Sequence, residues 1–234
     1  MCMRKVLIIG GNCDIGRALS KYFLDNGDNV FVGYHKNDNN DNKNIKYFKC
    51  DVCDIKSVDS CIGTIVNQYG KLDIVINLAC LCMDNAFLNK TKNEFMKELE
   101  VNLVGTFICN QVYSKYVDDG LIVNVASTDG VDTYNEYNIG YSASKAGIIN
   151  MSKSIAMSTN NKIVCLCPNW IETNSTIDMD NTYLTNELKR IGQNRLITLD
   201  EFVFAFDQII SGSFNSGEVF RIDIKGDKVW VEKI

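Results

Sequence analysis

Seven short apolar bursts punctuate the chain, at residues 6–9, 30–32, 47–48, 74–76, 121–125, 163–166 and 219–222. The stretches between them, notably 15–26, 55–69, 94–116 and 142–158, carry helical apolar spacing and few breakers. Strands that alternate with helices pair in parallel, because each helix carries the chain back to the edge from which the next strand starts. Bursts that are apolar throughout, rather than at every second residue, belong to strands covered on both faces. The pattern predicts an α/β fold: a doubly wound, seven-stranded parallel sheet flanked by helices on both faces. With 234 residues the chain suits one domain spanning 1–234. A polar stretch with some helical character, 169–194, is the natural lid, and the Asn- and Asp-rich segment 38–44 reads as a solvated loop.

Composition narrows the functional classes. Hydrophobic residues make up 46% and charged residues 23%, and no apolar run reaches the roughly 18 residues of a membrane helix. The N-terminus runs straight into a strand-like burst without a signal-peptide pattern, so a cytoplasmic location is expected, with no membrane partner. The ten cysteines then read as reduced thiols, several of them inside apolar bursts. Cys50 and Cys53 have the spacing of half a zinc site, but one His and no second matching Cys pair leave it incomplete, and no metal is expected. A net charge of −5 with scattered basic residues argues against nucleic acid.

Two motifs carry chemistry. Ile9-Gly-Gly-Asn-Cys-Asp-Ile-Gly16 follows the first strand and opens the first helix, the context in which glycines let backbone N–H groups approach a pyrophosphate. Tyr141-Ser-Ala-Ser-Lys145 places a Tyr and a Lys one helical turn apart on one face. A free Tyr has a pKa of about 10, and bringing it near 7 requires roughly 4 kcal/mol in favour of the phenolate, much of which a neighbouring ammonium can supply.

In these two motifs and their order the chain resembles the short-chain dehydrogenase/reductase family over nearly its whole length, which implies a single Rossmann-type domain. The family's T-G-x-x-x-G-x-G corresponds to residues 9–16, making Gly10, Asn12, Asp14, Ile15 and Gly16 cofactor-binding by resemblance. Asp14 stands where the family has its middle Gly, and Asp is also a good N-cap for its own helix. Asp51 and Val52 match the family's adenine contact. Asn77 and Ala79 lie in Asn77-Leu-Ala-Cys80, which matches N-N-A-G with Leu78 and Cys80 as departures. Cys13 and Cys80 are expected to flank the dinucleotide. At the tip of the second strand no carboxylate is present to bind a ribose diol, and His35 with Lys36 suits a 2′-phosphate, so NADP(H) is preferred and NAD(H) stays open.

The resemblance implies four catalytic residues: Ser127, Tyr141, Lys145 and Asn102. Tyr141 would donate a proton to the carbonyl oxygen and Ser127 would hydrogen-bond it. Lys145 would depress the Tyr pKa and grip the nicotinamide ribose, and Asn102 would hold a water that links Lys145 to solvent. Ser127 lies three residues before Gly130, as the family's motif requires, whereas strict spacing to Tyr141 selects Thr128. Pro168-Asn-Trp-Ile-Glu-Thr173 resembles P-G-x-x-x-T, with Asn169 expected to take Gly's left-handed backbone and Ile171 and Thr173 to contact the cofactor.

The nearest general likeness is to the 3-oxoacyl-acyl-carrier-protein reductases, NADPH-dependent tetramers. It implies reduction of a 3-oxoacyl thioester, with a small ketone, sugar or polyol as the alternative. An acidic carrier protein needs a basic dock, yet Asp118 and Asp119 precede the fifth strand and Lys162 stands alone, so that partner is doubtful. Helices 102–116 and 142–158 carry apolar residues beyond one face, among them Phe107, Ile148, Ile149, Met151 and Ile155, as expected of a homo-oligomer. The reading from another class is a dinucleotide-binding regulator or scaffold that does not turn over.

Overall fold

The computed structural model describes residues 3–36 and 42–234. All seven bursts are strands: β1 (Lys5–Ile9), β2 (Asn29–Tyr34), β3 (Ile45–Lys49), β4 (Ile74–Asn77), β5 (Leu121–Val125), β6 (Lys162–Pro168) and β7 (Glu218–Lys225). An eighth, β8 (Lys228–Lys233), makes the sheet one strand larger than the seven expected and pairs antiparallel with β7. The order is β3-β2-β1-β4-β5-β6-β7-β8, with every pairing but the last parallel. Of the expected loop 38–44, residues 38–41 lie outside the described residues.

Burial on both faces follows directly from β1. Val6 and Ile8 point into one apolar cluster and Leu7 and Ile9 into another, because successive side chains of a strand face opposite ways. The first cluster is closed by α1 (Asp14–Asp25) and α8 (Leu199–Ser211) through Leu19, Phe23, Phe202 and Phe206. The second is closed by α2 (Ile55–Tyr69) and α4 (Gly105–Tyr116) through Ile62, Ile65, Cys109 and Tyr113. Each such side chain, fully buried, contributes about 1.5–3 kcal/mol. Strand order reverses between β1 and β4, the switch point beyond which a crevice opens at the carboxyl ends of the strands. No helix among the described residues is long and apolar enough to cross a membrane.

The expected helix 94–116 is continuous but not uniform. α3 (Lys92–Leu99) starts in a capping box, with Thr91 and Glu94 bonding each other's backbone N–H, then widens to a π-turn over Glu100–Val104 before α4. Asn102 sits in the wide turn, fully buried. Gly105 follows because a Cβ there would lie 2.7 Å from Val52 Cγ2. One turn earlier, Glu98 accepts a hydrogen bond from Met83 N at 2.8 Å and pairs with Lys90 at 2.7 Å, both side chains being almost wholly buried. Lys90 also donates to the Met83 carbonyl. Two charges removed from water together fix the loop that enters the crevice after β4. We expect Lys90→Met to cost about 3–5 kcal/mol by stranding a buried carboxylate, and Lys90→Met/Glu98→Leu to recover most of that loss. Denaturant unfolding of the two variants measures it, and a single-variant loss below about 1 kcal/mol would contradict the assignment.

Candidate active site

The glycine loop is shaped by close backbone approaches. Gly10 has φ +76°, and a Cβ on it would stand 2.5 Å from Ala79 N, so the loop turns hard against the end of β4. A Cβ on Gly16 would meet the Gly11 carbonyl oxygen at 2.3 Å, so this glycine lets α1 start flush against the turn. The N-cap of α1 is Cys13, whose backbone is extended and whose sulfur accepts from Gly16 N at 3.4 Å. The expectation that Asp14 caps its own helix is therefore corrected: it is already the first helical residue and its carboxylate points outward. There it accepts from Asn174 N at 2.8 Å and Asn174 Nδ2 at 3.0 Å, with Arg17 3.7 Å away.

Along the carboxyl ends of the strands runs a groove made of two contiguous cavities that share Cys13, Leu78 and Cys80. One, of about 520 Å³, is lined by Gly10, Asn12, Asp51, Val52 and Ala79, with His35 and Lys36 at its rim. The other, of about 350 Å³, is lined by Asp14, Ile15, Ile171 and Thr173 together with Ser127, Tyr141 and Lys145. Three expected residues do not line it. Gly16 acts through the packing just described. Asn77 turns inward and donates to Asn110 and Asn124, each at 2.8 Å, in a buried network that Asn124 extends to Ser152 at 3.0 Å. Asn102 is spent on its neighbours, accepting from Leu81 N at 2.7 Å and donating to Leu81 O at 2.9 Å and Ser144 Oγ at 3.0 Å. Its amide thus holds the loop after β4 and, through Ser144, the first turn of α5 (Ile139–Ile155).

At the rim the His35 Nε2 lies 3.3 Å from Asp51 Oδ2, while Lys36 is exposed. The Asp51 carboxylate also accepts from Cys53 N at 3.0 Å, so its position is fixed from two sides.

Ser127 is selected over Thr128 by how each hydroxyl is used. Thr128 is fully buried, donates to Asn169 Oδ1 at 3.2 Å and accepts from Thr133 at 2.8 Å. Ser127 Oγ accepts from Asp129 N at 3.1 Å, which leaves its own proton for the groove that Tyr141 also lines. Gly130 allows this turn to lie on α5, since a Cβ there would be 2.5 Å from Ala146 N. Lys145 sits beneath, its Nζ 5.2 Å from the centre of the Tyr141 ring and donating to the Val125 carbonyl at 2.8 Å.

The electrostatics correct the simplest form of the Tyr–Lys argument. Burial pushes the Tyr141 phenol well above its ordinary value, Cys80 and Asp129 push the same way, and the Ser127 hydrogen bond pulls back. Desolvation is the largest of these effects. Burial likewise raises the Asp129 carboxyl against hydrogen bonds from Thr133 and Asn138.

Asn169 does not take a left-handed backbone, since Asp119 is the one non-glycine with positive φ among the described residues. Its side chain works instead, accepting from Thr128 and donating to Asp223 Oδ1 at 3.1 Å, and so joins the ends of β5, β6 and β7. The sequence reading missed Glu98, Lys90 and Asp129; the available signal was two carboxylates in segments otherwise destined for burial.

Comparison with known proteins agrees with this architecture. The family model described as short chain dehydrogenase matches residues 4–183. A 3-oxoacyl-[acyl-carrier-protein] reductase FabG of Chlamydia pneumoniae is 27% identical over 214 residues, covering 85% of this chain and 86% of the relative. The protein of the same name from Thermotoga maritima is 27% identical over 234 residues, covering 93% and 95%. Among solved structures, the ligand-free aldohexose dehydrogenase of Thermoplasma acidophilum superposes with a TM-score of 0.82 at 23% identity, covering 94% of this chain and 92% of that one. ElxO with NADP bound gives 0.79 at 23% identity, covering 94% and 96%. A β-sheet crevice with a glycine loop at one end and a Ser, Tyr and Lys at the other, matched by the family over most of its length, makes this chain a member of the short-chain dehydrogenase family and an NAD(P)-dependent oxidoreductase acting between alcohol and carbonyl.

Proposed function

We propose that the chain reduces a carbonyl to an alcohol with NADPH, using Tyr141 as proton donor. The observation that carries this reading is the convergence of Ser127, Tyr141 and Lys145 on the wall of one cavity, with the Lys145 Nζ buried 5.2 Å from the centre of the phenol ring. A nicotinamide bound in the groove supplies the hydride. Ser127 and Tyr141 then face the same substrate oxygen, where donors fixed in advance stabilise developing negative charge at no reorganisation cost. Lys145 contributes positive charge below the phenol, and Asn102 acts as a positioning residue that holds the loop bearing Cys80 and Cys82. The dinucleotide is a fit for the residues present: Gly10 leaves the loop edge bare against Ala79, Asp51 and Val52 offer contacts at one end, and Ile171 and Thr173 at the other. The Asp14 carboxylate is partly offset by Arg17 and by the two N–H groups of Asn174. The segment 169–194, with helices α6 (Asn174–Ile177) and α7 (Asn181–Arg190), serves as the lid. One domain, 1–234, carries the whole site, in a cytoplasmic protein.

Two substrate classes follow: a 3-oxoacyl thioester, supported by the names of the reductases at 27% identity, and a small hydroxylated ketone or sugar, supported by Asp129, Asn138 and Asn169 among the side chains that line the otherwise mostly apolar pocket. Val104 and Phe107 lie exposed on the π-turn and α4, and support self-association into a homotetramer, whereas Ile148 is buried in its own protomer. Sedimentation of the purified chain tests that, and a monomer at micromolar concentration would refute it.

Tyr141→Phe is expected to keep dinucleotide affinity and lose at least about 10²-fold in turnover. The raised Tyr141 pKa gives the sign of the pH profile: the proton-bearing form dominates through neutral pH, so reduction stays flat there and falls only in the alkaline range, while alcohol oxidation, which needs the phenolate, climbs with pH. An apparent pKa near 7 for reduction would contradict this. Saturating dinucleotide at about 100 times its dissociation constant adds roughly 2.7 kcal/mol of stability. Thermal unfolding should therefore shift with NADPH more than with NADH, and Lys36→Ala should erase the difference; a larger NADH shift would overturn the NADP preference.

A further inference from the structure

The smaller cavity carries two hydrogen-bond acceptors that reduction of a simple ketone does not use. Asp129, 4% exposed, lines the cavity beside Ser127 and Tyr141, two residues beyond the serine. It receives a hydrogen bond from Thr133 at 3.0 Å. An ionised carboxylate has about four acceptor positions, so it can take further donors. The second acceptor is Asn138 Oδ1. That oxygen is buried and has no hydrogen-bond partner among the described residues, and Asn138 lines the same cavity.

The backbone that carries the two acceptors is held in place. The Asp129 backbone N–H is fixed on Ser127 Oγ. The segment between the two acceptors is anchored to the lid helix: Asn135 donates to Glu187 at 2.9 Å and to Tyr183 at 3.3 Å, and Arg190 donates to the Tyr134 carbonyl at 2.5 Å. A pocket wall fixed in this way can match particular substrate groups at little ordering cost.

We propose that Asp129 and Asn138 form a hydroxyl-recognition subsite beside the Ser127–Tyr141 pair, and that the substrate is a small polyhydroxylated carbonyl compound rather than an alkyl ketone or a 3-oxoacyl thioester. The inference rests on the carbonyl-reductase reading of the groove. An alkyl chain laid over the subsite strands both acceptors without water or donor, whereas hydroxyl groups flanking the carbonyl satisfy them. A site built to bond substrate hydroxyls rejects the deoxy analogue far more strongly than an apolar pocket rejects a missing methylene.

The test is a four-carbon series, butanone, acetoin and erythrulose, reduced with NADPH and NADH alongside acetoacetyl-CoA. The expected result is a kcat/KM that rises by about tenfold or more with each step of hydroxylation. Asn138→Ala and Asp129→Asn should each lower the erythrulose-to-butanone ratio at least about tenfold. A merely structural role would depress both substrates together and leave the ratio unmoved. Butanone or acetoacetyl-CoA as the best substrate, or a ratio that survives both substitutions, overturns the subsite while leaving the reductase reading intact. If folded protein that binds the dinucleotide turns over none of the four compounds, the reductase reading fails and the subsite with it.

Discussion

A parallel sheet buried on both faces leaves only its strand ends to meet solvent and ligand, and everything functional in this chain follows from that constraint. Val6 and Ile8 are committed to one core and Leu7 and Ile9 to the other, so β1 can deliver its chain only at its carboxyl end, where Gly10 turns under the tip of β4. The same edge receives the ends of β5 and β6, bringing Ser127 and Asn169 within reach of α5. Residues more than a hundred positions apart in sequence share one groove because no other edge of the fold offers backbone groups and space together.

Much of the polar chemistry in this structure holds that groove in shape without entering it. Asn102 locks both backbone groups of Leu81, Glu98 and Lys90 lock those of Met83, and Asn77, Asn110, Asn124 and Ser152 tie β4, α4, β5 and α5 in one buried network. Loops after parallel strands have no partner strand to satisfy them, so side chains from the neighbouring helix must do it. The π-turn at Glu100–Val104 is the local cost of aiming Asn102 at the loop, and such turns recur where a helix has a functional side chain to place.

The sequence made the buried strands legible because parallel strands are apolar without interruption, and the Tyr–Lys pair legible because helical spacing dictates its geometry. β8 escaped because Lys-Val-Trp-Val-Glu-Lys is a half-exposed edge strand, charged at its ends and paired antiparallel through a turn at Gly226, so it carries no continuous burst. Asp14 was read correctly as a departure and wrongly as a cap. Capping is decided by which residue keeps an extended backbone, and that residue is Cys13. Asn169 replaces glycine by its amide rather than by its backbone, and only the packing of three strand ends reveals it. The protonation of Tyr141 was the least legible quantity, since it depends on how much water the folded groove excludes and not on which residues are spaced around it.

That last point bears on how the groove works. Burial pushes the Tyr141 phenol up and so favours its proton-bearing form, while Lys145, with one N–H on the Val125 carbonyl, keeps its positive charge beneath the ring. In the proposed reduction this is the useful state, because Tyr141 would have to carry its proton until hydride arrives and the oxygen of the substrate becomes basic. The Ser127 hydroxyl, oriented by the Asp129 N–H, opposes desolvation by stabilising the phenolate left behind. In the proposed mechanism, burial keeps the Tyr141 proton in place and Ser127, carried by the turn that follows β5, favours its release.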